Sequence, residues 1–516
     1  MAATAVPMGI QDELWLTMDR PNNLMVVDGA LLLAADVPVE AVREVYAGLV
    51  ERFPVFARRA VPTRGGRWSW ADDPDFDLAR HIAEVQLPEP CDIAALQALM
   101  SERRSRPLDP QRPRWQVLLV HGVRLADGTT GAAVVSRFHH AIADGVRLVQ
   151  VMLGLCETDP ETEVLPPDTG KAGLAEHSAL HRARDAVVGA AGGAAQSVAG
   201  AAGSLLGAVR HPGRVLPRPA EVRQFGGRAV HDGAELAQLA GHGFGLEMLR
   251  RPDRVLDVLE HLGLPGNRGI HDASSLTKLS FAATPRTVWT GTPGISKAVA
   301  WSEPIPLADI KAIGHALGAT VNDVMLAAVA GALRQYLLEH GGLHVDEVNW
   351  MVPVNLRPLQ LDSGDLGNAF ALVFLPMPLH HPEAAARLEA MHRTMERIKD
   401  SDEAVMTFGL QQVVARSPSQ VAFALTNFFA NKAVGVLTNV PGPRATLRFA
   451  GTEVRQVIGF APSSGDQTMT TSIFSYRDGV TVGFATDATL VPDPSVLVDH
   501  VLEELAALRS AVDTAG

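Results

Sequence analysis

Apolar residues recur along this chain at two different spacings, and the alternation between them marks out its elements. Ile10 to Met18 has the spacing of a short helix and is closed by the turn sequence Arg20-Pro21-Asn22-Asn23. Leu24 to Leu33 predicts a strand, and Val39 to Phe53 an amphipathic helix with Pro38 just ahead of it, where proline is tolerated. An irregular strand–loop comes next over Trp68 to His81, then a helix over Ile93 to Arg104 and a strand over Gln116 to Val123. The run Gly131-Ala-Ala-Val-Val135 reads as a buried strand, and Val146 to Leu155 as a largely buried helix.

The second half repeats the alternation. Ala298 to Ser302 predicts a strand and Leu307 to Leu317 a helix, succeeded by a longer helix from Thr320 to Leu337 with Thr320 as its N-cap. Strands are expected over Val348–Val354 and within Leu366–Leu375, and helices over Pro382–Lys399 and Glu403–Val414. Gly435 to Pro443 is a strand ending in a rigid turn, Ser475 to Asp487 a hairpin, and Ser495 to Leu508 a final helix. This order implies an α/β layered fold with mixed sheets.

Between the halves the pattern changes. Ala186 to Val209 is a stretch of 24 residues without a charge, long enough to span a membrane. It is chiefly Ala and Gly, which contribute little insertion energy, so no transmembrane helix is assigned. Residues 171–223 hold seven Lys/Arg and three Asp/Glu, a net +4, whereas the remainder of the −12 chain carries −16. Such a basic, small-residue segment suits an anionic membrane or lipid-droplet surface, and equally a closely packed crossover between domains. The expected division is an N-terminal domain 1–170, a helical connector 171–272 and a C-terminal domain 273–516.

At 516 residues the chain exceeds one ordinary core. Its acidic balance argues against a nucleic-acid partner. Cys91 and Cys156 are too few for a disulfide framework, so a reducing cytoplasm is expected, and the N-terminus lacks the pattern of a signal peptide.

The candidate chemistry centres on Phe138-His139-His140-Ala141-Ile142-Ala143-Asp144-Gly145, at the junction of strand and helix. Successive strand side chains point to opposite faces, so one imidazole can face a cleft while the other packs and orients it. A neutral imidazole accepts a proton near pH 7. Structural alternatives stand beside this reading: a packed histidine pair, with Asp144 as the N-cap of the next helix. No cluster of metal-ligand type stands nearby, and no metal or cofactor is expected. Asn322-Asp323 opens a helix, where Asp323 also complements the helix dipole. Trp115 suits packing at a loop–strand junction. Pro441 and Gly442 give a strand a sharp exit.

The spacing His139-His140-x-x-x-Asp144-Gly145 resembles the active-site signature of enzymes built like chloramphenicol acetyltransferase, peptide-synthetase condensation domains included. Over nearly its whole length the chain resembles the bacterial wax ester synthase/diacylglycerol acyltransferase family. Besides the histidine motif, the resemblance rests on Asp75-Phe76-Asp77-Leu78-x-x-His81, Asn322-Asp323, Pro353-Val-Asn-Leu-Arg357 and Asn439-Val-Pro-Gly-Pro443 in family order. Departures are Arg114 where Pro-Leu-Trp is usual, and Thr438 where the last element usually begins with Ser.

The resemblance implies two chloramphenicol-acetyltransferase-like domains, mixed sheets with flanking helices, forming a pseudo-dimer with a tunnel between them. It implies a long-chain acyl-CoA donor, used as substrate, and a fatty alcohol or diacylglycerol acceptor. His140 is then the general base, His139 sets its geometry, and Asp144 forms a structural ion pair with Arg357. Gly145 allows close strand–helix approach, while Asn322, Asp323, Trp115, Asn439, Pro441 and Gly442 shape the site. The expected location is the cytoplasm, peripheral to the inner membrane face or lipid droplets. Two alternatives remain open: acylation of another alcohol, amine or carrier-bound acceptor, and a non-catalytic lipid-binding or droplet-coating role.

Overall fold

The structure is a computed structural model that describes residues 5–63, 67–158, 285–342, 344–355, 370–399 and 419–515. The chain divides into two compact units, one of Met1–Leu174, Thr284–Asp400 and Ala430–Gly516, the other of Ala175–Ala283 with Ser401–Phe429. The expected connector 171–272 and the helix expected over 403–414 lie outside the described residues. Nearly all the described residues belong to the first unit.

Among the described residues this unit holds two seven-stranded mixed sheets and a small three-stranded one. The first sheet runs β5 (Ile82–Gln86), β6 (Trp115–Arg124), β7 (Thr130–His139), β2 (Val26–Leu33), β15 (Thr452–Phe460), β14 (Leu447–Phe449) and β8 (Glu157–Thr158). Its β5–β6 pair is parallel and the other pairs are antiparallel. In the second sheet the path is β10 (Ile305–Pro306), β17 (Gly479–Asp487), β16 (Met469–Tyr476), β13 (Gly435–Pro441), β11 (Glu347–Asn355) and β12 (Phe370–Pro378). Strand β9 (Lys297–Trp301) also pairs with β17. The small sheet joins β1 (Val6–Pro7), β4 (Trp68–Asp72) and β3 (Arg58–Pro62).

The helices of this unit are α1 (Ile10–Met18), α2 (Val39–Arg52), α3 (Ile93–Arg104), α4 (Gly145–Gly154), α5 (Leu307–Leu317), α6 (Val321–His340), α7 (Ala384–Lys399) and α9 (Pro494–Ala515). Helix α8 (Ser419–Ala430) falls almost wholly in the second unit. The expected α/β class, two sheets each with flanking helices, is what the chain adopts. Strands β14 and β15 depart from a simple division into halves: they come from residues 447–460 yet complete the first sheet beside β2.

The histidine strand β7 is buried from Gly131 to His139, because both faces of the sheet are covered there. On one face of the first sheet, Val134 and Phe138 of β7 meet Leu31 and Leu33 of β2 and Val42 and Tyr46 of α2. On the other face, Val135 and Ala133 meet Ala30 and Leu32 of β2 and Leu96 and Met100 of α3. Strand β15 joins both layers through a register shift between Val454 and Gln456. Val454 and Val457 then share the first core, whereas Ile458 and Phe460 fill the second. With both faces covered, the end of β7 is held rigidly, and it is there that the paired histidines stand.

Candidate active site

His139 ends β7, and two backbone bonds fix the pair. Its own N–H donates to the Arg114 carbonyl at 3.0 Å, and the His140 N–H donates to the Met25 carbonyl at 2.7 Å. The histidines are thus pinned between the entries to β6 and β2. A tight turn comes next, with the Ile142 N–H on the His139 carbonyl at 3.0 Å. Asp144 then caps α4, its Oδ1 accepting the Arg147 N–H at 2.8 Å. That is the capping role the residue type suggests. Its expected partner Arg357 lies outside the described residues.

Among the described residues, a Cβ placed at Gly145 would meet nothing within 4 Å.

The two imidazoles sit in different surroundings, His139 as the last residue of β7 and His140 in the turn beyond it. His139 is 1% exposed and His140 6%. The Nδ1 of His139 accepts the Ala141 N–H at 3.1 Å, so its proton is on Nε2. Nε2 faces Asp19 Oδ2 at 3.4 Å, a long electrostatic contact rather than a short hydrogen bond. Asp19 also accepts the Met25 N–H at 2.9 Å and pairs with Arg114 at 3.3 Å. Burial alone would raise the Asp19 carboxyl, but His139, the Met25 N–H and Arg114 together hold it below its usual range. His140 packs its ring against Trp15, centroids 4.3 Å apart.

Burial lowers both histidines: His139 against the opposing pull of Asp19, and His140, further disfavoured by its neighbour, to about 3. Both are therefore neutral at working pH. A histidine depressed in the folded state takes up its proton on unfolding, so folding stability rises with pH and is lost as pH falls below 6.5. The slope from His140 is about 1.4 kcal/mol per pH unit down to its folded pKa. Urea denaturation at pH 7.5 and 5.0 is expected to show this acid loss, with a shallower loss in His140→Gln; equal slopes would contradict the burial of a neutral imidazole.

Sequence reasoning missed Trp15 and Asp19. They are four apart, on α1 and its C-cap, and reach His140 and His139 respectively. The spacing was visible, but not the face on which α1 docks.

The other motif residues fall into two groups. Trp115, 2% exposed, donates Nε1–H to the Phe56 carbonyl at 2.7 Å and stacks on His81 at 4.5 Å. His81 Nδ1 lies 2.9 Å from the Trp115 carbonyl, and Asp77 caps the short turn before it. This element and Trp115 therefore form one packed corner beneath the sheet.

In the second half, Asn439 Nδ2 donates to Asn322 Oδ1 at 2.5 Å, joining two motifs that lie 117 residues apart. Asp323, fully buried, closes a reciprocal capping box with Thr320. Its Oδ2 also meets Nδ1 of His392 at 2.8 Å, a partner on α7 that no motif announced. Gly442 answers to close approach: a Cβ there would lie 2.1 Å from the Ser475 carbonyl oxygen. Pro441 ends β13 just before it. Val440 and Phe474 belong to the large apolar cluster that also holds Ala141, Ile142 and Ala143.

Among the described residues no group of three or more His, Cys, Asp or Glu is placed to hold a metal ion. No single described helix is long and apolar enough to cross a membrane. The pair α5–α6 passes by composition, but it is bent by 96° and α6 is largely core. Residues 186–209 lie outside the described residues.

Comparison with known proteins agrees along the chain. The family model for the wax ester synthase/diacylglycerol acyltransferase catalytic domain matches residues 8–234, and that for the WS/DGAT C-terminal domain matches residues 366–509. A Mycobacterium tuberculosis protein carrying the name diacylglycerol O-acyltransferase is 28% identical over 91% of this chain and 92% of its own length. One from Mycobacterium bovis with the same designation is 26% identical over 98% and 91%. Among solved structures, the wax ester synthase/diacylglycerol acyltransferase from Marinobacter aquaeolei VT8 superposes with a TM-score of 0.64 at 19% identity, over 98% of this chain and all of that one. The first condensation domain of the calcium-dependent antibiotic synthetase gives 0.55 at 14%, over 98% and 97%. These structural likenesses speak to the fold.

Proposed function

The chain belongs to the wax ester synthase/diacylglycerol acyltransferase family, and on that premise we propose how it performs acyl transfer to an alcohol or diacylglycerol hydroxyl. The donor is a long-chain acyl-CoA, and His140 is the general base in a complex holding both substrates. The observation that carries this reading is the division of labour between the imidazoles. His139 has both ring nitrogens turned to protein groups, whereas His140, the next residue beyond the strand, lays its ring against Trp15.

His140 takes the proton of the acceptor hydroxyl as its oxygen attacks the thioester carbonyl. The tetrahedral intermediate collapses, the carbon–sulfur bond breaks, and the CoA thiolate leaves with the proton returned from the imidazolium. Burial makes His140 a weak base, so alignment of hydroxyl and thioester supplies much of the rate. Once formed, the imidazolium is offset by the negative charge developing on the adjacent carbonyl oxygen. Asn322 and Asn439, bonded to each other, are the amides we assign to shaping the acceptor side, together with Asp323, Pro441 and Gly442.

The division into domains 1–170, 171–272 and 273–516 belongs to the same proposal, with residues 447–460 lent to the first sheet. So does peripheral contact of the basic 171–223 segment with anionic membrane or droplet surfaces. For that contact the full chain should float with anionic vesicles and not with neutral ones.

The function is tested by release of free CoA from palmitoyl-CoA by purified protein with hexadecanol, dipalmitoylglycerol or no acceptor. Release that needs an acceptor supports transfer, and the faster acceptor names the main product. Release with neither acceptor above background would overturn the assignment to these hydroxyls.

A further inference from the structure

We infer that Asp19 is a positioning residue for the histidine pair, holding His139 in its Nε2–H form, and that Arg114 in turn holds Asp19. The inference rests on the reading of His140 as the base. Asp19 belongs to none of the motifs described above, and Arg114 stands where the family pattern has leucine. Their connection is visible only in three dimensions.

Two closed circuits carry it. In the first, the Arg114 carbonyl accepts the His139 N–H at 3.0 Å, His139 Nε2 faces Asp19 Oδ2 at 3.4 Å, and the Arg114 guanidinium returns to the same oxygen at 3.3 Å. In the second, Asp19 Oδ1 accepts the Met25 N–H at 2.9 Å, and the Met25 carbonyl accepts the His140 N–H at 2.7 Å. One carboxylate thereby acts on the ring of one histidine and, through Met25, on the backbone of the other. Helix α1 completes the arrangement, since Trp15, one turn before Asp19, lies against the His140 ring.

The chemistry of the carboxylate is what the site needs. The Ala141 N–H occupies His139 Nδ1, so the ring proton is on Nε2, and an acceptor rather than a donor is what suits the group facing it. An asparagine at 19 cannot satisfy all the neighbours. With its oxygen on the Met25 N–H, its NH₂ would confront both the Arg114 guanidinium and the His139 Nε2–H, donor against donor. His139 would have to turn or change tautomer, and His140, next along the chain, would move with it. A shift of about 1 Å in a catalytic group costs on the order of 10²-fold in rate.

The test uses the full-length protein with ¹⁵N-histidine labelling, the His139 ring signals being assigned by difference against His139→Gln. Asp19→Asn is expected to lower kcat by about 10- to 100-fold with KM for palmitoyl-CoA changed less than about 3-fold. Its His139 spectrum should lose the Nε2–H pattern, and Asp19→Glu, which keeps the carboxylate, should recover most of both. Arg114→Leu should lower kcat less and shift the Nε2 resonance without abolishing it.

Wild-type kcat together with an unchanged His139 spectrum in Asp19→Asn would overturn the inference. Should that variant not fold, an unchanged kcat and spectrum in Arg114→Leu would overturn it instead. Failure of the base reading looks different: His140→Ala would stay active while Asp19→Asn still altered the His139 tautomer.

Discussion

Purified His140→Ala protein is expected to lose about 10²- to 10⁴-fold in kcat, with a smaller change in KM for acyl-CoA. In free energy this is about 2.7–5.5 kcal/mol of transition-state stabilisation. The loss falls on kcat because proton removal occurs only as the hydroxyl attacks, whereas the acyl chain and CoA are bound before and after. The fold is expected to survive, since His140 is tied to the sheet by its backbone N–H on Met25, and that bond does not depend on the side chain. What is removed is the ring against Trp15 and the proton acceptor it provides. A His140→Gln variant, closer in size and without a basic nitrogen, should be as inactive as the alanine. Full activity in either would mean that another group, or the acceptor itself, handles the proton.

The second large effect concerns stability and lies far along the sequence. Arg387 on α7 and Glu504 on α9 form a bidentate ion pair with both residues at least nine-tenths buried. The Arg387 Nε also donates to Glu504 Oε1 at 2.9 Å, and the guanidinium reaches the carbonyls of His381 and Pro382. Glycine at 331 makes room for this pair, because a Cβ there would lie 2.3 Å from the Glu504 carboxyl carbon. Arg387→Ala leaves a buried carboxylate without its cation, which costs on the order of 3–5 kcal/mol. Replacing both partners with apolar residues of similar size, as in Arg387→Met with Glu504→Leu, should recover most of that loss. Urea denaturation of the two singles and the double closes the cycle; additive losses would mean that the pair is not coupled.

The local pattern made much of this fold legible. The helices over Ile10–Met18, Ile93–Arg104 and Leu307–Leu317 have the boundaries read from the sequence, and end-marking residues accompany two of them: Asp92 caps the second and left-handed Gly318 closes the third. The hairpin near Arg477-Asp478 and the capped helix at Thr320 were readable for the same reason. Where a strand pairs was not readable. Residues 452–460 enter the first sheet across more than 400 residues of chain from β2, and no local propensity encodes that partner.

The site divides along the same line. His139, His140 and Asp144 were found by spacing and type. Asp19, Trp15 and His392 were missed because their meaning depends on which helix lies over which strand end. Close packing at a glycine is a property of its neighbours, and among the described residues none comes within 4 Å of a Cβ placed at Gly145. Gly442 shows the opposite case, a glycine read as part of a rigid exit whose structural reason is the Ser475 carbonyl against it. Arg114, noted in the sequence only as a departure from a pattern, turns out to carry a charge to Asp19.

The measurement that tests direct transfer most closely is a rapid-quench single turnover, with enzyme in excess over palmitoyl-CoA labelled in its acyl group. Without acceptor, the label should remain on CoA and none should travel with the denatured protein. With hexadecanol or dipalmitoylglycerol, it should pass to ester in wild type and stay on CoA in His140→Ala. Stoichiometric labelling of the protein before any acceptor is added would contradict the account, because the acyl group would then pass through a covalent enzyme intermediate.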